Sequence, residues 1–393
     1  MIRNEINITI LIDNPFVSDT RVEKEIEVLI KNFNAHIKVI AISNPNELKK
    51  ENKNGYTIER IINDIVKSPL KKGYKQYVSE FSKMLANEKV EILHCHDYHM
   101  LFIGSEVKRL NPNIKLIYDS HEYLKGWPLY LTNKGIFNKI KGYIVWTREL
   151  TLEKKAAQNA DLVITVTDGI ADRLKMNLRL NTQPIVLNNF PLLINCKEGD
   201  LLRKNFNIAK GKTILIHSGS IYYSDKQLAQ LLDIIKRYND TVLVFIGNRP
   251  RFHEIRIAVE KDIQFNKNVF FLPYPSDYAS LFPILCSGDI GLLHIRNNWQ
   301  AHKLGSANKL MEYSHAGLAI ISTHQTTAEK INEYFHHCTF YDESNFKEFE
   351  MALIHTMNNL ASFKNKALQT REKLSWGSES IKLVHAYNNL LNA

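Results

Sequence analysis

The sequence predicts an α/β fold of two doubly wound halves, and three observations carry that prediction. Its 393 residues exceed one ordinary core and suit two domains of similar size. Short apolar runs of strand character alternate with helical periodicity, which implies parallel sheets covered on both faces. The rhythm breaks once, at the polar, proline-bearing segment NNFPLLINCKEGD (188–200), and then restarts, so that segment reads as a hinge.

In chain order, INITILI (6–12) has the pattern of a buried strand, and the loop DNPFVSDT leads to a helix from about Arg21. Thr20 and Glu23 have the spacing of a capping box. The loop contains no glycine, which argues against the G-x-G-x-x-G cradle of dinucleotide-binding proteins. A strand at 37–42, a polar hairpin-like region, a lysine-rich segment (67–75) and a helix lead to EILHCHD, strand-like over 91–95. A helix (99–110) precedes the strand IKLIYD (114–119), which runs directly into Ser120, His121 and Glu122. A long helical region (133–158), the strand LVITV (162–166), a helix and the strand PIVL (184–187) complete the first half.

The second half repeats the pattern: TILIH (213–217), a helix from Lys226, TVLVFIG (241–247), NVFFL (268–272) and DIGLLHI (289–295), with helices between. SANKLMEYSHAGLAIIST (306–323) follows, with a helix over 309–315, a stop at Gly317 and an apolar strand. Ser306 suits the helix start and Gly317 the left-handed position past its end. A last strand, HCTFY, precedes helices that run to the C-terminus.

The net charge of +10 calls for an anionic partner: nucleic acid, an acidic membrane face or a phosphorylated small molecule. Residues 125–155 carry seven Lys or Arg against two Glu, interspersed with Trp127, Tyr130, Phe137, Tyr143 and Trp146. That mixture suits an anionic membrane surface; the alternative is a solvated helix whose aromatics pack inward. No nucleic-acid recognition module accompanies it. An apolar fraction of 44%, no apolar run of about 18 residues, and no basic-then-apolar leader in residues 1–5 describe a globular chain without a spanning segment. Cys95, Cys196, Cys286 and Cys338 stand far apart in no C-x-x-C pair, which argues against a zinc site or a disulfide framework and for a reducing cytosol.

Several residues suit chemistry at the carboxyl ends of strands, where ligands bind in such folds. The start of the 309–315 helix offers free N–H groups and Lys309 to a phosphate, and Glu312 one turn on could meet hydroxyls. Ser218, Gly219 and Ser220 after a strand, with Lys226 at the next helix start, form a loose phosphate-suited pattern that also reads as a solitary glycine turn, and GNRP (247–250) reads as a turn from which Arg249 could reach a phosphate. His121 at a strand end can donate to a sugar hydroxyl or to developing charge. His94 and His96 share a strand face, but no third ligand follows from the sequence, so no metal is assigned; His96 and Asp97 are cleft-lining candidates.

Taken in order, these pieces resemble the GT-B glycosyltransferases of the retaining family 4 type. The resemblance rests on D-x-R-V-x-K-E from Asp19 through Arg21 to Glu25, YDSHE (118–122), ADLVITVTDGIADRL (160–174), IVLNNFP (185–191), NKLMEYSHAGLAII (308–321) and the closing segment SWGSESIKLVHAYNNLL. It implies Rossmann-like domains at 1–190 (acceptor side) and 201–375 (donor side), a hinge at 191–200, and a helix at 376–393 packed back on the first domain. It implies that Glu312 is the second acid of the family's E-x7-E motif, binding the nucleotide ribose, while the first acid's position holds Leu304. His121 matches the histidine beside the reacting sugar carbon. Of the family's diphosphate-binding Arg and Lys, Ser220 stands at the first position and Lys226 matches the second with one inserted residue; Lys309 can supply the missing charge. Gly219, Ser306, Asn308 and Leu310 complete the implied donor site, with Asp19, Arg21, His96, Asp97 and Arg249 as further cleft candidates.

The resemblance implies retaining transfer from a nucleotide sugar, with no protein nucleophile, no cofactor and no required metal, completed by closure about the hinge. The expected partners are a nucleotide-sugar donor, a glycan or lipid-linked acceptor and an anionic membrane face through 125–155, with no nucleic acid. The expected setting is surface-glycan assembly in the cytoplasm, at the inner face of the membrane. Two alternatives share the fold: a nucleotide-sugar 2-epimerase and a non-catalytic nucleotide-sugar binding protein.

Overall fold

The computed structural model describes residues 5–17, 19–194, 198–261, 267–275, 277–306 and 308–392. Cys196 and the middle of the expected hinge lie outside them. The chain divides into two compact units, Met1–Asn189 with Glu379–Ala393, and Phe190–Ser378.

The first unit runs β1 (Ile6–Leu11), α1 (Thr20–Asn32), β2 (Ala35–Ile42), β3 (Lys50–Lys53), β4 (Tyr56–Ile62), α2 (Tyr74–Ala86), β5 (Ile92–His96), α3 (Asp97–Leu110), β6 (Lys115–Ser120), α4 (Ile136–Ala157), β7 (Leu162–Thr165), α5 (Asp168–Leu178) and β8 (Ile185–Val186). The eight strands form one sheet in the order β3-β4-β2-β1-β5-β6-β7-β8. Pairing is parallel except for β3, which returns antiparallel on β4. Its sequence, KENK, puts charge on the sheet edge and discourages further pairing. At the centre, Ile8, Ile10 and Leu11 of β1 are buried on both faces, as a strand covered by two helical layers requires.

The first helix starts differently from the expected capping box. The Asp19 carboxylate accepts from Val22 N–H, so Asp19 is the cap and Thr20 already lies in the first turn. At the carboxyl edge of the sheet, β1, β5 and β6 are neighbours, which brings the segments after Leu11, His96 and Ser120 together.

The second unit runs α6 (Leu201–Phe206), β9 (Thr213–Ser218), α7 (Asp225–Arg237), β10 (Thr241–Ile246), α8 (Pro250–Glu260), β11 (Val269–Leu272), α9 (Leu281–Leu285), β12 (Ile290–Leu293), α10 (Gln300–Leu304), α11 (Asn308–Ala316), β13 (Ala319–Thr323), α12 (Thr326–Phe335), β14 (Cys338–Tyr341), α13 (Phe346–Asn358) and α14 (Leu360–Thr370). Its six-stranded parallel sheet has the order β11-β10-β9-β12-β13-β14. Helix α7 begins at Asp225 behind a complete capping box between Ser224 and Gln227. The last helix, α15 (Trp376–Asn392), joins the first unit from Glu379 onward. There the Glu379 carboxylate accepts from Asn188 N–H, and Tyr387 hydrogen-bonds His94.

Helix α11 is seated by two glycines. A Cβ on Gly291 would stand 2.4 Å from the Tyr313 ring, so only glycine lets α11 lie this close to β12. At its end, Gly317 has φ 73°, with Gly317 N–H on Ser314 O and Leu318 N–H on Tyr313 O: a Schellman stop. Tyr313 hydroxyl accepts from Ser218 N–H at 2.8 Å, tying the helix to the end of the central strand.

Cys95 and Cys338 are free and buried, as isolated thiols should be. Cys286 is disulfide-bonded, so the expectation of four isolated cysteines fails there, and with it the argument from cysteine spacing for a reducing compartment. No helix among the described residues is long and apolar enough to cross a membrane.

Candidate functional site

In the second unit the site is built at the start of α11. Glu312 is buried, and its carboxylate takes the Lys309 ammonium at 2.7 Å and the Tyr278 hydroxyl at 3.4 Å. Lys309 also reaches the Tyr274 hydroxyl at 3.1 Å and lies over that ring, 4.8 Å from its centroid. Burial pushes the Glu312 carboxyl above its ordinary range, and Lys309 and Tyr278 pull it part of the way back. Burial lowers Lys309 as well, but Glu312 and Tyr274 more than offset it, so the ammonium is held firmly.

The turn after β9 comes to the same place. Gly219 has φ 93°, and a Cβ on it would stand 2.9 Å from Lys309 Cε. A left-handed glycine here lets the Lys309 stem pass against the backbone, which places an ammonium beside a turn of small residues. Gly219→Ala is expected to cost about 1–2 kcal/mol of stability through its forbidden φ and to displace Lys309. Urea unfolding checks it, and unchanged stability would contradict it.

The remaining donor-site candidates fall into three groups. Ser306 is half-buried ahead of α11, and Asn308 is exposed at its first turn. Leu310 is fully buried in the core cluster with Met311 and Tyr313, so its side chain packs and only its backbone faces the helix start. Ser220, Lys226 and Arg249 are exposed, and no hydrogen bond or ion pair joins their side chains to the Lys309–Glu312 pair among the described residues. Leu304, in place of an acid, ends α10 half-buried. Tyr278 and Tyr313 had no role in the sequence reading; their only signal was position near strand and helix ends.

In the first unit the site is a network of buried charge. Arg21, from α1, donates to both oxygens of Asp119 at 3.2 and 2.8 Å and to Leu187 O at 2.9 Å, with Glu25 at 3.1 Å. His96 Nδ1 lies 3.0 Å from His121 Nε2. His121 N–H donates to Asp97 at 3.1 Å, and the ring's Nδ1 lies 3.5 Å from the same carboxylate. Asp97 itself has φ 63°, a left-handed backbone that turns its carboxylate back toward His121.

The charges sort cleanly. Burial opposes ionisation of Asp119, but Arg21 and His121 hold it well below the carboxylate range. Burial likewise works against a charged His121, yet Asp97 and Asp119 outweigh it and raise the imidazole to about 9. His96 is held neutral by burial and by its neighbour His94. His121 is therefore an imidazolium at neutral pH, suited to donate and unsuited to abstract a proton. Arg21 and His96, expected near a cleft, are buried at 4% and 2% exposure and support His121 from beneath. Asp19 caps α1 and receives Asn14.

The fold adds two carboxylates to the two histidines that the sequence left without a third ligand. Ligand atoms of Glu25, His94, His96 and Asp119 all lie within 4.8 Å of one another. Within the set, His94 Nε2 lies 3.9 Å from Asp119, and His96 lies 3.7 Å from Glu25 through Nε2 and 3.8 Å from Asp119 through Nδ1. Arg21 already supplies the positive charge that the two acids require.

The family model described as Glycosyltransferase Family 4 matches residues 27–189. Among solved structures, sucrose-phosphate synthase from Thermosynechococcus elongatus aligns with a TM-score of 0.75 at 13% identity, over 98% of this chain and 99% of that one. A glycosyltransferase from Rickettsia africae ESF-5 aligns at 0.70 with 13% identity over 99% of both chains. HepE from Anabaena, solved in complex with UDP-glucose, aligns at 0.68 with 11% identity over 98% of this chain and 100% of that one. A search of curated proteins found no match.

Proposed function

We propose, for a chain with the GT-B fold whose residues 27–189 match Glycosyltransferase Family 4, that it moves a glycosyl group from a nucleotide-diphosphosugar to an acceptor hydroxyl with retention. The observation that carries this reading is the buried Glu312, held by Lys309 at the start of α11 against the Gly219 turn. Two sugar hydroxyls are the natural partners of a carboxylate so placed, and a diphosphate is the natural partner of an ammonium beside a helix start and a small-residue turn.

In this reading Glu312 receives the ribose hydroxyls, while Lys309, the first-turn backbone of α11 and the turn at Ser218 and Gly219 take the diphosphate. Lys226 and Arg249, exposed nearby in sequence order, add long-range positive charge. His121, as imidazolium, donates to the donor sugar. The bond from the anomeric carbon to the diphosphate oxygen breaks as the acceptor oxygen bonds to the same face. The acceptor's proton leaves with the diphosphate, and cations and N–H groups stabilise the charge, so no metal is needed. HepE is described with UDP and UDP-glucose, and an E. coli trehalose-6-phosphate protein with UDP-2-fluoro glucose, which makes uridine donors the first to try. Surface-glycan assembly at the inner membrane face remains part of the same proposal.

The deciding experiment incubates the full chain with UDP-glucose and related donors, with and without a saccharide acceptor. Acceptor-dependent release of UDP is expected. An epimerised nucleotide sugar formed without acceptor would replace the proposal with epimerisation, and binding without any product would leave a binding protein.

A further inference from the structure

Residues 123–148 contain no Asp or Glu but five basic residues, Lys125, Lys134, Lys139, Lys141 and Arg148. Helix α4 exposes Ile136 (65%), Phe137 (84%), Ile140 (51%) and Ile144 (53%). Positions 136, 140 and 144 are one turn apart, so they form a single apolar stripe, with Phe137 beside it. Leu129 and Leu131, just before the helix, are exposed too. A contiguous apolar surface rimmed by lysines and by no acid is complementary to an anionic lipid layer, and it is poorly suited to water.

The opposite side of the same segment lines an open cavity of about 640 Å³, walled by Tyr98, Trp127, Tyr130 and Trp146 and edged by Lys134 and Lys141; its one acid, Glu149, lies 3.9 Å from His99 Nε2. The aromatic wall is held in place: Tyr130 packs edge-on to Tyr143 and against Trp146, both at 5.3 Å, and Trp146 donates to Leu124 O at 3.3 Å. Gly142 permits the approach, since a Cβ there would meet Tyr130 at 2.8 Å and Asn133 at 2.6 Å. No ion pair reaches Lys134 or Lys141 among the described residues. Tyr98 on the wall directly follows Asp97, the carboxylate that receives His121 N–H. The cavity thus has ring faces for sugars or isoprenoid carbons, two ammonium groups against one carboxylate, Glu149, and a wall that begins one residue from the candidate catalytic network.

We infer that this cavity binds the phosphate-bearing head of an amphiphilic acceptor, a saccharide carried on a lipid phosphate, while the apolar stripe of α4 lies in the lipid layer that holds it. The inference rests on the glycosyl-transfer reading and names its acceptor class. Lys134 and Lys141 neutralise the lipid phosphate, the aromatic wall takes the first units of the attached chain, and the stripe fixes the helix at the depth where such a head emerges.

Farnesyl phosphate is the probe, read by tryptophan fluorescence of the full chain, because Trp127 and Trp146 both line the cavity. Saturable quenching is expected, weakened about tenfold or more in Lys134→Ala/Lys141→Ala through loss of two charge-assisted contacts. Farnesol and inorganic phosphate are expected to give none. In parallel, Phe137→Ser/Ile140→Ser is expected to lose sedimentation with phosphatidylglycerol-containing vesicles while keeping its unfolding midpoint. Quenching by farnesol equal to that by farnesyl phosphate, an unaffected double-lysine variant, or unchanged sedimentation of the serine variant each overturns the inference. UDP binding is measured on the same samples: if it persists while farnesyl phosphate fails, this inference alone falls, and if UDP binding is absent the donor reading falls.

Discussion

Replacing His121 with alanine is expected to lower the transfer rate about 100- to 1,000-fold, the usual loss when one preorganised donor to developing charge is removed. UDP affinity should stay within about twofold, since His121 belongs to the first unit and the nucleotide contacts proposed for Lys309 and Glu312 belong to the second. The pH profile carries the sharper test. His121 is raised to about 9 by Asp97 and Asp119 against the opposing pull of burial. Activity that needs the imidazolium should hold through neutral pH and fall as pH rises through about 9. Asp97→Asn removes the larger of the two raising charges and should move that alkaline limb toward the ordinary histidine range.

Stability should follow the same proton. The folded chain binds it more tightly than the unfolded one, so the contribution is complete below about pH 6.5 and is lost as pH rises through about 9. It amounts to roughly 3 kcal/mol, an upper figure because part of the ring meets solvent. Urea unfolding of the parent and of His121→Ala at pH 6.5 and pH 9.5 measures it; a difference that does not shrink with pH would sink the charge assignment.

Glu312→Gln is the second large effect, with UDP affinity expected to fall about 100-fold through loss of two charge-assisted bonds to ribose hydroxyls. The amide keeps the shape but leaves Lys309 without its counter-charge, so the unfolding midpoint should fall by a few degrees while the fold persists, and UDP affinity is compared on the folded variant. Lys309→Met is different in kind: it leaves the buried carboxyl without its counter-charge. That should cost about 3–5 kcal/mol of stability if the carboxylate stays ionised, and less if it takes up a proton. Calorimetric titration with UDP and thermal unfolding of both variants distinguish the cases. Full UDP affinity in Glu312→Gln would remove the ribose anchor from the proposal.

The leading residue of each site was legible because it sits in a local pattern. His121 stands where an apolar strand runs out, and Glu312 lies one turn into a helix stopped by Gly317. Their supports were not legible, because each joins residues far apart in the chain. Asp119 meets Arg21 across 98 positions, and Tyr278 meets Glu312 across 34. The same limit explains the missed cluster around His94 and His96, where Glu25 and Asp119 arrive from α1 and β6. Smaller misreadings were local: Asp19 outcompetes Thr20 as a cap because its carboxylate reaches Val22 N–H. Leu310 looked like a ligand contact by its place in a motif, but helical phase turns it into the core.

By itself the sequence determined the two doubly wound halves, the strand ends where polar residues gather, and the basic aromatic stretch, because periodicity and spacing are properties of neighbours. Only the tertiary structure decided that Lys309 lies against Gly219, that His121 rests on a buried Arg21–Asp119 pair, and that α4 presents its isoleucines and Phe137 to the outside. Charge state and exposure depend on what distant segments bring to within a few ångströms, and no reading along the chain contains that distance.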